Sequence, residues 1–310
     1  MLESMQHILM SVLAPVLVIV AIGALVQRWR RMNVKTLVQL NLYLFVPAFL
    51  YVRISQSTLS WTHIGGAALT VFGTIAVMAL PIYYTLRTRR AAGNTIAAVV
   101  VGGLFFNAGN FGIPVAELAF GKPGGEVQAL VVLFMNTSIF LLGYVALALA
   151  QGHGAKAALG YFKLPMIYAI TAAFAVRETG YAPPVWVTTA LQTIAGGMVP
   201  VALVTLGAQL VTRARWPRWK LIVPVMSLKL LIMPAVTAAI VWALGLWPWP
   251  GAQLILASAG PTAINTLLLT IELDGDAETA ADCVFWTTLF CGVTVTIVLS
   301  VLLALGGGPV

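Results

Sequence analysis

Charge is what this chain has least of. Of 310 residues only 8% are Asp, Glu, Lys or Arg, where soluble domains carry about 25%. Acidic residues are the scarcest, nine in all, and no polar stretch is long enough to be a separate soluble domain. Cysteines number two, Cys283 and Cys291. They lie eight apart on one predicted helix, so roughly 12 Å separates them along its axis, too far for a disulfide. The N-terminus carries Glu3 and no basic region ahead of its first apolar run, so it does not read as a cleaved signal peptide. There is no His/Asp/Glu cluster with metal-ligand spacing and no nucleophile–base pair, which excludes the common enzyme classes and calls for no metal or cofactor.

What fills the chain instead is apolar. Hydrophobic residues make up 60% and the mean hydropathy is +0.97. Apolar runs of about 20 residues recur along the chain, the length that crosses a hydrocarbon core of about 30 Å. The fold class is all-α, a polytopic membrane protein set in a lipid bilayer. Ten spans are expected, at 7–27, 35–54, 62–86, 91–119, 126–150, 158–177, 186–211, 221–244, 251–271 and 278–304. The net charge of +8 is no sign of a nucleic-acid partner, because 13 of the 17 Lys and Arg fall in the loops after spans 1, 3, 5 and 7. That is the positive-inside pattern, which puts those loops in the cytoplasm and both termini on the periplasmic side of a bacterial inner membrane.

An internal repeat runs through the spans. FMNTSIF at Phe134 and FWTTLF at Phe285 lie 151 residues apart, and Pro47 and Pro200 lie 153 apart in spans two and seven. A break at Asn107–Pro114 in span four matches one at Gly260–Pro261 in span nine. Five spans per repeat is an odd number, so the copies (1–151 and 157–306) are inverted in the membrane. Inverted repeats with discontinuous helices in matching positions point to a secondary transporter. Glycine and proline free backbone groups there, and such groups persist in a membrane only where protein or a wet cavity satisfies them. A helix restarting after a break offers an N-terminus equivalent to about half a positive charge. If spans four and nine cross at their breaks, two such termini make an anion site. Asn107, Asn110 and Pro114 from span four, with Pro261, Thr262 and Asn265 from span nine, are its expected core, and Pro47 and Pro200 its facing wall.

Two charges lie inside spans. Glu117, one turn past Pro114, reads either as a carboxylate favoured by a helix N-terminus or as a proton carrier. Lys229 reads as a lysine snorkelling toward the interface, or as a counter-charge for an anionic substrate or for Glu117. Asn41, Asn136, Thr137 and Ser138 read as helix–helix contacts or as cavity lining.

At GNFGIP (Gly109), the pattern from LPMIYAI through GGMVPVALVTLGAQL, KLLIMP (Lys229) and GPTAINT with its acidic loop and FWTTL, the sequence resembles the auxin efflux carrier family in its bacterial branch, within the group that holds the bile acid/sodium symporters. The resemblance implies ten helices in two inverted five-helix repeats. It implies a scaffold domain from helices 1, 2, 6 and 7, and a transport domain from helices 3–5 and 8–10 that moves like an elevator. It further implies small organic anions as substrates, auxin-like or carboxylates such as malonate, and homodimers. GPTAINT lacks the acidic sodium ligand of the sodium-coupled relatives, and span three lacks the acid that plant carriers pair with the lysine of helix eight. The alternative class is a cation/proton exchanger with Glu117 as its proton carrier.

Overall fold

The computed structural model describes residues 10, 14–88, 93–143, 164–213, 218–272 and 275–309. Arg89, Arg90, His153, Lys156, Lys163, Arg215 and Asp274 lie outside them. The described residues are helical and form no strand. In chain order the helices are α1 Ala14–Arg30, α2 Val34–Leu40, α3 Val46–Ser55, α4 Trp61–Thr88, α5 Gly93–Leu104, α6 Ile113–Ser138, α7 Pro165–Thr179, α8 Val185–Gly196, α9 Met198–Arg213, α10 Trp219–Ser227, α11 Met233–Ala243, α12 Gly251–Ser258, α13 Ile264–Glu272 and α14 Ala277–Ala304. Among the described residues, six helical stretches are long and apolar enough to cross a membrane: Val34–Ser55, Trp61–Pro81, Ala108–Gly143, Val185–Val211, Trp219–Ala243 and Ala277–Ala304. Leucines, valines and tryptophans stand exposed on their outer faces, among them Leu69, Val77, Leu80, Trp186 and Leu231. The molecule is a multi-pass membrane protein, with lipid as the solvent for those faces.

Proline explains a local shape that recurs at three places, while a similar wide turn at Ile139–Gly143 has no proline after it. Wide helical turns at Asn41–Phe45, Ala108–Gly112 and Leu228–Ile232 each come just before a proline, Pro47, Pro114 and Pro234. A proline has no N–H to give and its ring crowds the carbonyl one turn back. An extra residue in that turn relieves the crowding without stopping the helix. The prolines therefore sit in the first turn of the helix that resumes, where the missing donor costs least. Between α6's two parts the chain reverses at Gly121, whose φ of 61° lies in the region that favours glycine.

The tightest packings place α1 on α9, and α3 on α7 and α8. Elsewhere α4 packs on α5, α6 and α11, α12 on α6 and α11, and α14 on α5, α10 and α13. Joining these, α3 packs on α6, and α9 packs on α6 and on the turn Ala108–Gly112. The α1–α9 contact is backbone to backbone. A Cβ on Gly23 would lie 2.4 Å from the Val204 carbonyl oxygen, and one on Gly207 would lie 2.0 Å from that of Val20. Such small-residue approaches are how helices associate where water cannot drive them together. Gly207→Val is expected to force the pair apart and cost about 2 kcal/mol or more, read as a lower melting temperature in detergent. An unchanged melting temperature would show that the contact is dispensable.

The turn into α14 is tied down by Asp276. Its carboxylate accepts from the Thr279 amide at 2.9 Å and from the Thr95 hydroxyl at 2.7 Å, with Arg218 at 3.6 Å. Burial raises this carboxyl, but the bonds from Thr279 and Thr95 and the Arg218 charge outweigh it and hold it below its ordinary value of 3.8. A lowered carboxyl stabilises the fold fully above its unfolded value and loses that contribution as pH falls through the lowered one. Asp276→Ala should therefore cost about 1 kcal/mol at pH 7, and the difference from the parent should vanish in strong acid. A difference that persists there would contradict this.

Candidate functional site at the helix crossing

The chain is unwound between α5 and the turn at Ala108, and again between α12 and α13. The two unwound segments meet. Phe106 and Thr262 face each other as an isolated antiparallel bridge. Asn107 donates its amide to the Pro261 carbonyl at 2.7 Å, and Ala263 donates to the Phe105 carbonyl at 2.9 Å. Each break thus supplies the hydrogen bonds the other needs in a medium without water.

Neighbouring helices satisfy most of what remains. The Thr262 amide donates to the Thr287 hydroxyl at 2.9 Å, and the Thr262 hydroxyl donates to the Gly102 carbonyl at 2.7 Å. Gln128 donates its amide to the Ala108 carbonyl at 2.7 Å, while Gln253 donates to the Gln128 oxygen, also at 2.7 Å. Gly112 makes room for this, since a Cβ there would lie 2.3 Å from Gln128 Nε2.

Beside the bridge lies a cavity of about 50 Å³, lined by the first turns of both resuming helices and by Asn41, Asn107, Asn110, Asn136 and Asn265. A water takes about 10–15 Å³ on this measure, so the cavity suits a group of the size of one carboxylate. Asn265 donates to Asn136 at 3.0 Å and Asn136 to the Val132 carbonyl at 3.0 Å, while Asn41 reaches Asn110 only at 3.5 Å. Asn107 is 6% exposed, and its Nδ2 has no hydrogen-bond partner. The first amides of a helix have no acceptor within it, so those at Gly109, Asn110, Ile264 and Asn265 add donors. Among the described residues, no acidic side chain lines the cavity.

A vestibule of about 980 Å³ adjoins it, sharing Val38, Leu42 and Ile264. Among the described residues its polar lining comes from Gln27, Asn33, Gln39 and Gln209, with one charged side chain, Lys35. The way in is therefore neutral to positive.

The sequence-predicted residues fall into three groups. Asn107, Asn110 and Asn265 line the cavity. Pro261 and Thr262 belong to the crossing but turn inward, Pro261 through its carbonyl and Thr262 through a fully buried hydroxyl. The other five lie elsewhere. Pro114 is buried within α6, and neither Pro47 nor Pro200 lines the cavity or its vestibule, Pro200 being exposed. Glu117 pairs with Arg53 at 2.7 Å, so it is neither at the crossing nor the partner of Lys229. Lys229 does not snorkel: it is 0% exposed, its Nζ lies 3.4 Å from the Met233 sulfur and 5.2 Å from the centre of the Phe106 ring. It sits behind the bridge, one ring away from the cavity.

Asn41 and Asn136, whose directions the sequence leaves open, both face the cavity. Gln128 and Gln253 were missed. Their signal was there, since an amide side chain inside an apolar run needs a partner. The Arg53–Glu117 pair spans 64 residues, a distance that periodicity cannot bridge.

Residues 153–299, just under half of the chain, match the sequence model of the family described as "Membrane transport protein", which holds the auxin efflux carriers. The resemblance carried by the motifs is thus met over the second half. The chain is also 26% identical over 221 residues to an "Uncharacterized transporter" of Methanothermobacter thermautotrophicus, covering 71% of this chain and 70% of that protein.

Proposed function

From the match of its second half to the membrane transport protein family, we propose that this chain is a secondary transporter of small organic anions, auxin-like or mono- and dicarboxylates such as malonate. The observation that carries the reading is the crossing itself. Two half-helix N-termini and five asparagines surround one small cavity with no acid among its described lining, and partial positive charge with amide donors is what a carboxylate requires.

The architecture we propose is ten spans in two inverted repeats of five, 1–151 and 157–306. Helix pairing supports it, since α1 on α9 has its counterpart in α7 on α3, and the break before Ala108 has its counterpart before Ile264. In this architecture α1, α3, α7, α8 and α9 would be the scaffold, and the remaining helices would carry the site as an elevator. On the positive-inside count the protein lies in a bacterial inner membrane with both termini periplasmic. The vestibule, lined by Asn33 and Lys35 of the first basic loop, then faces the cytoplasm. The exchanger reading draws less support, because Glu117 is tied to Arg53 away from the crossing.

Binding tests the reading. Monocarboxylates and dicarboxylates should raise the melting temperature of the purified protein in a saturable way, and organic cations of equal size should not. Stabilisation by cations alone would overturn it.

A further inference from the structure

We propose that Arg53 and Glu117 form a latch that holds the vestibule open on the Asn33–Lys35 side and must part before access can switch to the other side. This rests on the alternating-access reading above.

The two partners lie on different helices, which the proposed architecture assigns to the scaffold and to the moving part. Arg53 is on α3, which packs on α7 and α8. Glu117 is on the half-helix that starts at Ala108, the same rod that carries Asn110 into the cavity. Seven residues separate Asn110 from Glu117, roughly 10 Å along the axis. Any displacement of the site relative to α3 therefore moves Glu117 relative to Arg53. Lys35 and Arg53 lie at opposite ends of the helical stretch Val34–Ser55, so the latch closes the end away from the vestibule.

The pair is built rather than incidental. Arg53 Nη2 and Glu117 Oε2 are 2.7 Å apart, with each side chain 20% exposed. A Cβ on Gly125 would lie 1.8 Å from Glu117 Oε1 and 3.0 Å from Arg53 Nε, so the glycine lets the pair nest against α6. The guanidinium also lies 5.5 Å from the centre of the Phe49 ring. A static contact here would gain as much from apolar side chains. An ion pair differs in that its charges regain water when they separate, which suits a contact that has to open and reform.

The test uses the full chain in nanodiscs, with spin labels on Val34→Cys and Phe285→Cys, which line the vestibule from α2 and from α14. The native Cys283 and Cys291 are buried and free. Two distance populations are expected, vestibule open and vestibule closed. Glu117→Gln and Arg53→Gln should each lower the open-to-closed ratio about fivefold, the effect of removing a partly exposed ion pair. A bifunctional thiol cross-link between Arg53→Cys and Glu117→Cys should hold the open population alone until it is reduced. Two populations whose ratio ignores both neutral substitutions would overturn the latch and leave the transporter reading standing. One population in the parent and in both neutral variants would overturn the alternating-access reading and the latch with it.

Discussion

Asn107→Ala is expected to weaken anion binding about 10–100-fold, the worth of a hydrogen bond to a charged group, while leaving the melting temperature nearly unchanged. The two halves of this expectation come from one geometric fact. Asn107 Nδ2 is buried and has no hydrogen-bond partner, so its removal breaks no bond of the folded protein. The backbone of Asn107, which donates to Pro261 at 2.7 Å and accepts from Gly112 at 2.9 Å, is untouched by the substitution. Asn265→Ala makes the contrast. Its amide donates to Asn136 at 3.0 Å, so that change should cost both binding and stability. Titration of each variant with a carboxylate that stabilises the parent separates the cases. Equal affinity in Asn107→Ala and the parent would remove Asn107 from the site.

The second large effect is on the fold. Gln128→Leu is expected to cost about 2–4 kcal/mol, because it orphans two buried groups at about 1–3 kcal/mol each. These are the Ala108 carbonyl and the Gln253 amide, both bonded to Gln128 at 2.7 Å. Gln128 is 0% exposed and Gln253 1% exposed, so no solvent stands ready to replace the lost bonds. Adding Gln253→Leu to Gln128→Leu removes one of the orphans. The double variant should therefore be less damaged than the sum of the two single ones. Additive losses in the thermal melts would show that the two glutamines do not act as a chain.

Much of the frame was legible in the sequence because the bilayer allows so few solutions. Long apolar runs and breaks satisfied by protein are each forced by lipid, and those features survive being read one residue at a time. The exact site of the break was less legible. Pro114 marks it in the sequence, yet the unwound residues are Phe105–Asn107, because a proline tolerates the first turn of a helix and the stress falls ahead of it. Which faces meet was not legible. Asn41, Asn136 and Asn265 come from three separate helical stretches, and only packing brings their amides to one cavity. Glu117 shows the same limit: its neighbour in space, Arg53, sits at the far end of another helix, and sequence spacing carries no record of that.

Uptake into proteoliposomes tests the central claim most directly. Radiolabelled malonate and indole-3-acetate would be offered with and without a pH gradient and with and without sodium, to the parent and to Asn107→Ala. The account predicts saturable uptake of at least one of the two anions, strongly reduced in Asn107→Ala. No uptake of either, together with collapse of an imposed pH gradient by sodium or potassium, would contradict it and make the chain a cation/proton exchanger.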